Sequence, residues 1–202
     1  MKRIPLLATI FACLTFPVLG ERPDCAPSLY ESREQREVFD DFDTYSLLLQ
    51  KWLAGMHEVA RWKWTYSQKN RDNAKEAWVW EQLSRLAEQF GSPYNWAKEV
   101  IGEQLAAGRM VVERDFAVWE KYGQEPFEDV WDLFAEIQPY LTNITNQMFV
   151  LMAKVYDHMQ THYIDHTYFP APLSHRACDY IPDPVWRRAI APFQHTYNNE
   201  EN

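Results

Sequence analysis

Between Tyr45 and Gln68, six residues recur at steps of four, three, four, three and four: Tyr45, Leu49, Trp52, Met56, Val59 and Lys63. That spacing keeps one face of an α-helix pointing in one direction for about five turns. Five of the six side chains are apolar or aromatic, so the face is a buried seam that other helices have to cover. The sixth is a lysine. An ammonium group on such a seam is costly unless something anionic meets it, which makes Lys63 the first candidate for a functional group.

The flanking segments continue the helical pattern. A polar lead-in turns helical near Ser32, and helix one is expected over about 39–69, with Asp40, Asp41 and Asp43 suited to its positive end. Asp72 is a good N-cap for a second helix, with Glu76 in its first turn and an apolar stripe through Trp80, Leu83, Leu86, Ala87 and Phe90. Gly91 ends that helix, Ser92 caps the next and Pro93 suits its first position. The third helix is expected over about 93–122, with Ala97, Ile101, Gln104, Gly108, Val111 and Asp115 on one face and Gly123 as its stop. Glycine inside a helix is about 1 kcal/mol less favourable than alanine, so Gly108 points to the close approach of a neighbour. A fourth helix is expected over about 128–162, bent or interrupted at Pro139.

From residue 163 on the chain holds five prolines and a single short helical segment, 184–190. With no strand-like alternation of any length, the fold class is all-α: about four main helices in a bundle, with an irregular C-terminal tail across it. At 202 residues this is one domain with enough length for a substantial core.

The N-terminus reads as a secretory signal peptide over 1–20: Lys2 and Arg3, an apolar run from Ile4 to Phe16, then Pro17-Val18-Leu19-Gly20. The expected organisation is therefore a signal at 1–20, a lead-in at 21–40, the helical domain at 41–166 and the tail at 167–202. The mature chain is secreted or periplasmic and has no membrane segment. The whole chain carries 20 basic and 29 acidic residues; without Lys2 and Arg3 the balance is 18 against 29, or −11, which argues against nucleic acid and anionic membranes as partners. Cys13 leaves with the signal. Cys25 and Cys178, one near each end of an exported chain, suggest a disulfide, with two free thiols as the alternative.

A Gly-rich phosphate loop, Gly-x-Ser-x-Gly, His-Glu-x-x-His and Cys-x-x-Cys are all missing from the sequence. Polar residues on helical seams remain. Their setting resembles the all-helical chorismate mutases, in particular the exported branch. The likeness lies in Val59-Ala60-Arg61-Trp62-Lys63-Trp64, Asp72-Asn73-Ala74-Lys75-Glu76, Gln104-Leu105-Ala106-Ala107 and Ile144-Thr145-Asn146-Gln147-Met148, and spans roughly 42–155.

The resemblance implies a cofactor-free rearrangement of chorismate, a small dianion, to prephenate. The enzyme holds the reactive shape and places cations or hydrogen-bond donors where charge grows on the ether oxygen. By that resemblance Lys63 serves the ether oxygen, and Glu76 and Asp72 hold the hydroxyl end. Lys75 and Gln138 stand where carboxylate-binding arginines are expected, and Gln104 falls at a substrate-binding position. Three further contact positions are altered: Trp52 replaces an arginine, Gly108 a polar side chain, and Val112 a Gln or Glu. Arginine forks bind carboxylates bidentately, which tryptophan does not reproduce, and valine has no hydrogen-bonding group to stand in for a Gln or Glu.

Two functions follow as expectations. One is a chorismate-mutase-like binding protein with a degraded pocket and weak or no activity, taking a small anionic molecule or a protein partner. The other is an active secreted chorismate mutase; members of the exported branch are often dimers, so a homodimer is implied in either case. A third expectation concerns metal: His158, His162 and His166 share a helix face if the fourth helix extends that far, and histidines at i and i+4 can chelate zinc or copper. Their plainer role is a polar helix end. Lys63 could likewise be a snorkelling lysine, Asp72 and Glu76 a cap and a first-turn acid, and Gln104 a buried hydrogen-bond partner. Asn143-Ile144-Thr145 matches a glycosylation acceptor within a helix.

Overall fold

The computed structural model describes residues 33–69, 73–161 and 181–193. The signal segment, Cys25, Asp72, His162, His166 and Cys178 lie outside the described residues. Helix α1 runs unbroken over Arg33–Thr65, starting earlier than its apolar seam alone suggests, because Val38 and Phe42 extend the seam toward the N-terminus and are themselves buried. At 1.5 Å per residue it is roughly 50 Å long. Helix α2 spans Asn73–Gln89 and α3 spans Tyr94–Tyr122. Pro93 sits one position outside α3, as its N-cap, and the Ser92 hydroxyl is buried without a hydrogen bond rather than capping the helix. Gly123 ends α3 in the left-handed region at φ 64°, and the N–H of Gln124 donates to the carbonyl of Trp119.

The fourth helix departs from expectation. Residues 123–132 form a non-helical connector, a single π-helical turn covers Leu133–Ile137, and α4 follows over Gln138–Thr161. The sequence places a proline in the second position of α4, where it has no N–H to give and a normal α turn would press its ring on the carbonyl of Ala135. The wider turn accommodates it, so the expected interruption at Pro139 takes the form of a change from π turn to α-helix. Asp132 caps this turn, its carboxylate accepting from the N–H groups of Phe134 and Ala135, while Glu136 accepts from the N–H of Asp132.

The helix α1 seam is covered by α3 on one side and α4 on the other. Helix α2 lies along α3 through Ser84 and Ala87, both fully buried. The short helix α5, Asp183–Ile190, closes the core on α3 with Val185, Trp186, Ala189 and Ile190, while Arg187 and Arg188 face outward. A 3-10 turn, Ala191–Phe193, then sets the Phe193 ring between Tyr45 and Trp96, with centroids 5.3 and 5.7 Å away. No strand and no helix long and apolar enough to cross a membrane occurs among the described residues. An all-α bundle is the architecture.

Candidate functional site

Helix α1 distributes its seam in three zones. Tyr45 and Leu49 are fully buried, Trp52 is 8 % exposed, and Met56, Val59 and Lys63 are partly exposed. In the first zone the Gln104 amide of α3 donates to the Tyr45 hydroxyl at 2.7 Å. Burial pushes the Tyr45 phenol well above its ordinary range, and the hydrogen bond from Gln104 opposes that rise only in part. Gln104 is 6 % exposed, so its amide is turned to the core.

In the second zone α1 and α3 cross at Trp52 and Gly108. A Cβ on Gly108 would stand 2.8 Å from Cη2 and 2.9 Å from Cζ3 of the Trp52 indole, and 3.1 Å from Cγ of Met56. Only glycine lets the ring lie there. Val112, one turn on, joins Ala60 and Trp119 in a small apolar cluster flanked by Met56, Trp64, Phe116 and Phe127. Trp52, Gly108 and Val112 thus fall along one face of α3 or directly against it.

The third zone is the C-terminal end of α1. Lys63 and Trp64 line a groove of about 350 Å³ together with Ser67, Phe116, Gln124 and Pro126. The helix closes with the N–H of Gln68 donating to the carbonyl of Lys63 and the N–H of Ser67 to that of Trp64, which puts Ser67 at the left-handed position, φ 51°. Glycine is the usual residue there; a serine costs on the order of 1 kcal/mol. The α3–α4 connector forms the opposite wall and is held by three neighbouring residues of α1. Arg61 donates to the carboxylate and the carbonyl of Asp129, with its guanidinium 4.8 Å from the Phe127 ring centroid. The Trp64 indole N–H donates to the carbonyl of Gln124 at 3.0 Å, and the Thr65 hydroxyl accepts from the N–H of Phe127 at 3.1 Å.

Glu76 lies elsewhere. It pairs with Arg109 of α3 at 2.8 Å in a second groove, of about 400 Å³, between α2 and α3. Trp80 forms its wall, packed on Gly102 and donating its indole N–H to the carbonyl of Lys98. The two grooves share no lining residue. Lys75 is in the first turn of α2, but its side chain is outside the described residues, and Gln138 is exposed at the start of α4. Among the candidate residues the structure brings together Trp52 and Gly108, while Lys63 and Glu76 line different grooves.

Two pairings were missed from sequence. Arg109, the partner of Glu76, carries no motif. Asp115 is 3 % exposed and bonds Nδ1 of His57 at 2.8 Å and Arg114 at 2.8 Å. Its place on the apolar face of α3 was the available signal, since a buried carboxylate requires cationic partners. Of the histidine row, His158 meets Asp41 of α1 at 3.1 Å, with Lys154 also 3.5 Å from that carboxylate. Among the described residues no three His, Cys, Asp or Glu side chains converge as a metal site.

No family model matches the sequence, and comparison with curated proteins gives no match. Solved structures do match. The chorismate mutase of Burkholderia phymatum superposes with a TM-score of 0.66 at 19% identity, over 78% of this chain and 98% of that one. The chorismate mutase of Burkholderia thailandensis gives 0.57 at 17% identity, over 76% and 98%. At such identities the likeness speaks to architecture, and the architecture of this chain is the helical fold of the chorismate mutases.

Proposed function

We propose that this chain is an exported binding protein on a chorismate-mutase scaffold, with weak or no conversion of chorismate to prephenate. The observation that carries this is the Trp52 indole seated in the hollow of Gly108. By the sequence resemblance these are an arginine and a polar position that would face the substrate. A large apolar ring now fills the space between them, and Val112 adds a second apolar surface where an amide or carboxylic acid is expected. The separation of Lys63 and Glu76 into two grooves supports the same conclusion.

Magnitude decides between weak and full activity. Losing a buried charge-assisted contact costs about 2–5 kcal/mol. Two losses at the low end lower the rate by roughly three orders of magnitude. Purified protein incubated with chorismate should leave its absorbance decaying at the uncatalysed rate. Rapid loss of that signal, abolished in Lys63→Ala, would overturn the proposal and make the protein an active mutase.

A further inference from the structure

We propose that the α3–α4 connector and the π turn that follows it form a docking surface for a basic segment of a partner protein, in which lysines or arginines alternate with apolar side chains. This goes beyond the role given above and does not depend on the crossing of Trp52 and Gly108. Between Lys121 and Lys154 the chain has no Lys, Arg or His, yet Glu125, Glu128, Asp129, Asp132 and Glu136 fall within twelve residues of that stretch. All five are exposed. One cation reaches them, Arg61 of α1 on Asp129. Asp132 and Glu136 accept backbone N–H groups, which satisfies their hydrogen bonding but leaves their charge in place. The surplus of negative charge attracts a cationic partner and repels an acidic one.

Charge steers an encounter, and the exposed rings give it an anchor. Phe134 is 70 % exposed and Trp131 is 44 % exposed, both within the acidic stretch. Large aromatic side chains, tryptophan above all, are where protein interfaces concentrate their binding energy. The Trp131 indole is already oriented, since it meets the Tyr140 ring of α4 edge to face, 82° apart with centroids at 6.0 Å. Phe134 belongs to the π turn, a form that occurs mostly as single turns and frequently at functional sites.

The backbone beneath these side chains is fixed at several points. Trp64, Thr65 and Arg61 of α1 hold Gln124, Phe127 and Asp129, and the Asp132 carboxylate caps the π turn. Little ordering of the surface is left to be done on binding. A basic segment with apolar residues between its charges meets both the carboxylates and the rings. Nucleic acid and anionic membranes are repelled by the same carboxylates, which leaves a protein as the occupant.

The test is a titration of the purified chain with a synthetic octapeptide alternating lysine and leucine, followed by calorimetry and by the NMR resonance of the Trp131 indole N–H. Saturable binding that moves this resonance is expected, weakening as salt is raised from about 0.02 to 0.15 M. The pair Glu125→Gln and Glu128→Gln, and separately Phe134→Ser, should each lower the affinity about fivefold or more. None of these three side chains caps or tethers the connector, so the variants should keep the Tm of the native chain. Octalysine, with the charge but no apolar side chains, should bind several-fold more weakly, and an octapeptide alternating glutamate and leucine should not saturate. Absence of saturable binding, equal affinity for octalysine, or unchanged affinity in either variant would overturn the proposal. So would a dimer of this chain that dissociates in Phe134→Ser, since that would give the surface to a second copy. Chorismate is absent throughout, so a failed titration leaves the reading of the scaffold untouched, whereas chorismate turnover would remove that reading and leave this surface standing.

Discussion

The indole of Trp52 lies within 3 Å of the point where residue 108 would place a Cβ, so these two positions on α1 and α3 are sterically matched. Helix propensity alone makes Gly108→Ala favourable by about 1 kcal/mol. Overpacking a well-filled crossing costs about 1–3 kcal/mol, and here the obstructing atoms belong to a rigid ring. The net effect should be destabilising by about 1–2 kcal/mol in urea unfolding. Adding Trp52→Leu should recover part of that loss, so the double variant should be less destabilised than the two single changes summed.

Asp115 gives a second expectation. Its carboxylate is buried between the His57 imidazole of α1 and the Arg114 guanidinium of its own helix, so removing it breaks both contacts at the α1–α3 crossing. Both partners are partly exposed, which places the loss for Asp115→Ala near the lower end for a broken buried pair, about 3 kcal/mol. His57→Ala leaves Arg114 in place and should cost about 1 kcal/mol. Thermal unfolding of both single variants and the double variant would check this; purely additive losses would show that the His57–Asp115 contact contributes nothing.

How much of this was legible beforehand depends on whether a feature is local. The seam of α1, the stop at Gly123, the short helix before Ile190 and the close approach at Gly108 follow from spacing and backbone preference within one segment. The interruption at Pro139 follows from its missing N–H, but its form, a π turn over Leu133–Ile137 ahead of α4 with Asp132 as its cap, turned on a competition between an ordinary and a wider turn. The site was less accessible still. Lys63 and Glu76 belong to separate grooves, and the pairing of Glu76 with Arg109 depends on the register of α2 against α3. Periodicity places a residue on a face; it does not say which neighbour lies opposite.

The cysteines provide a test of the export proposal. A Cys25–Cys178 bridge would close almost the whole chain into one loop, for which the chain-entropy model gives stabilisation on the order of 5 kcal/mol. Protein recovered from an oxidising compartment should contain no titratable thiol under denaturing conditions and migrate faster before reduction than after. Its Tm should fall on reduction, and Cys178→Ser should reproduce that fall. Two reactive thiols in such material would refute the bridge.

The buried phenol of Tyr45 sets the alkaline limit of the fold. Burial raises its pKa above the ordinary 10.0, so in alkali the folded chain keeps a proton that the unfolded chain releases. With more protons bound in the native state, the stability of unfolding falls as pH rises. The contribution from Tyr45 is complete below pH 10 and is lost progressively above it as pH climbs toward the folded value. Urea unfolding at pH 8 and at about pH 11 should therefore show a lower midpoint at the higher pH. Tyr45→Phe removes this ionisation but leaves the Gln104 amide without its acceptor, at a cost of about 1–3 kcal/mol. That variant should start less stable at pH 8 and lose less on moving to alkali. An identical alkaline loss in the variant and the native chain would show that some other group governs the limit.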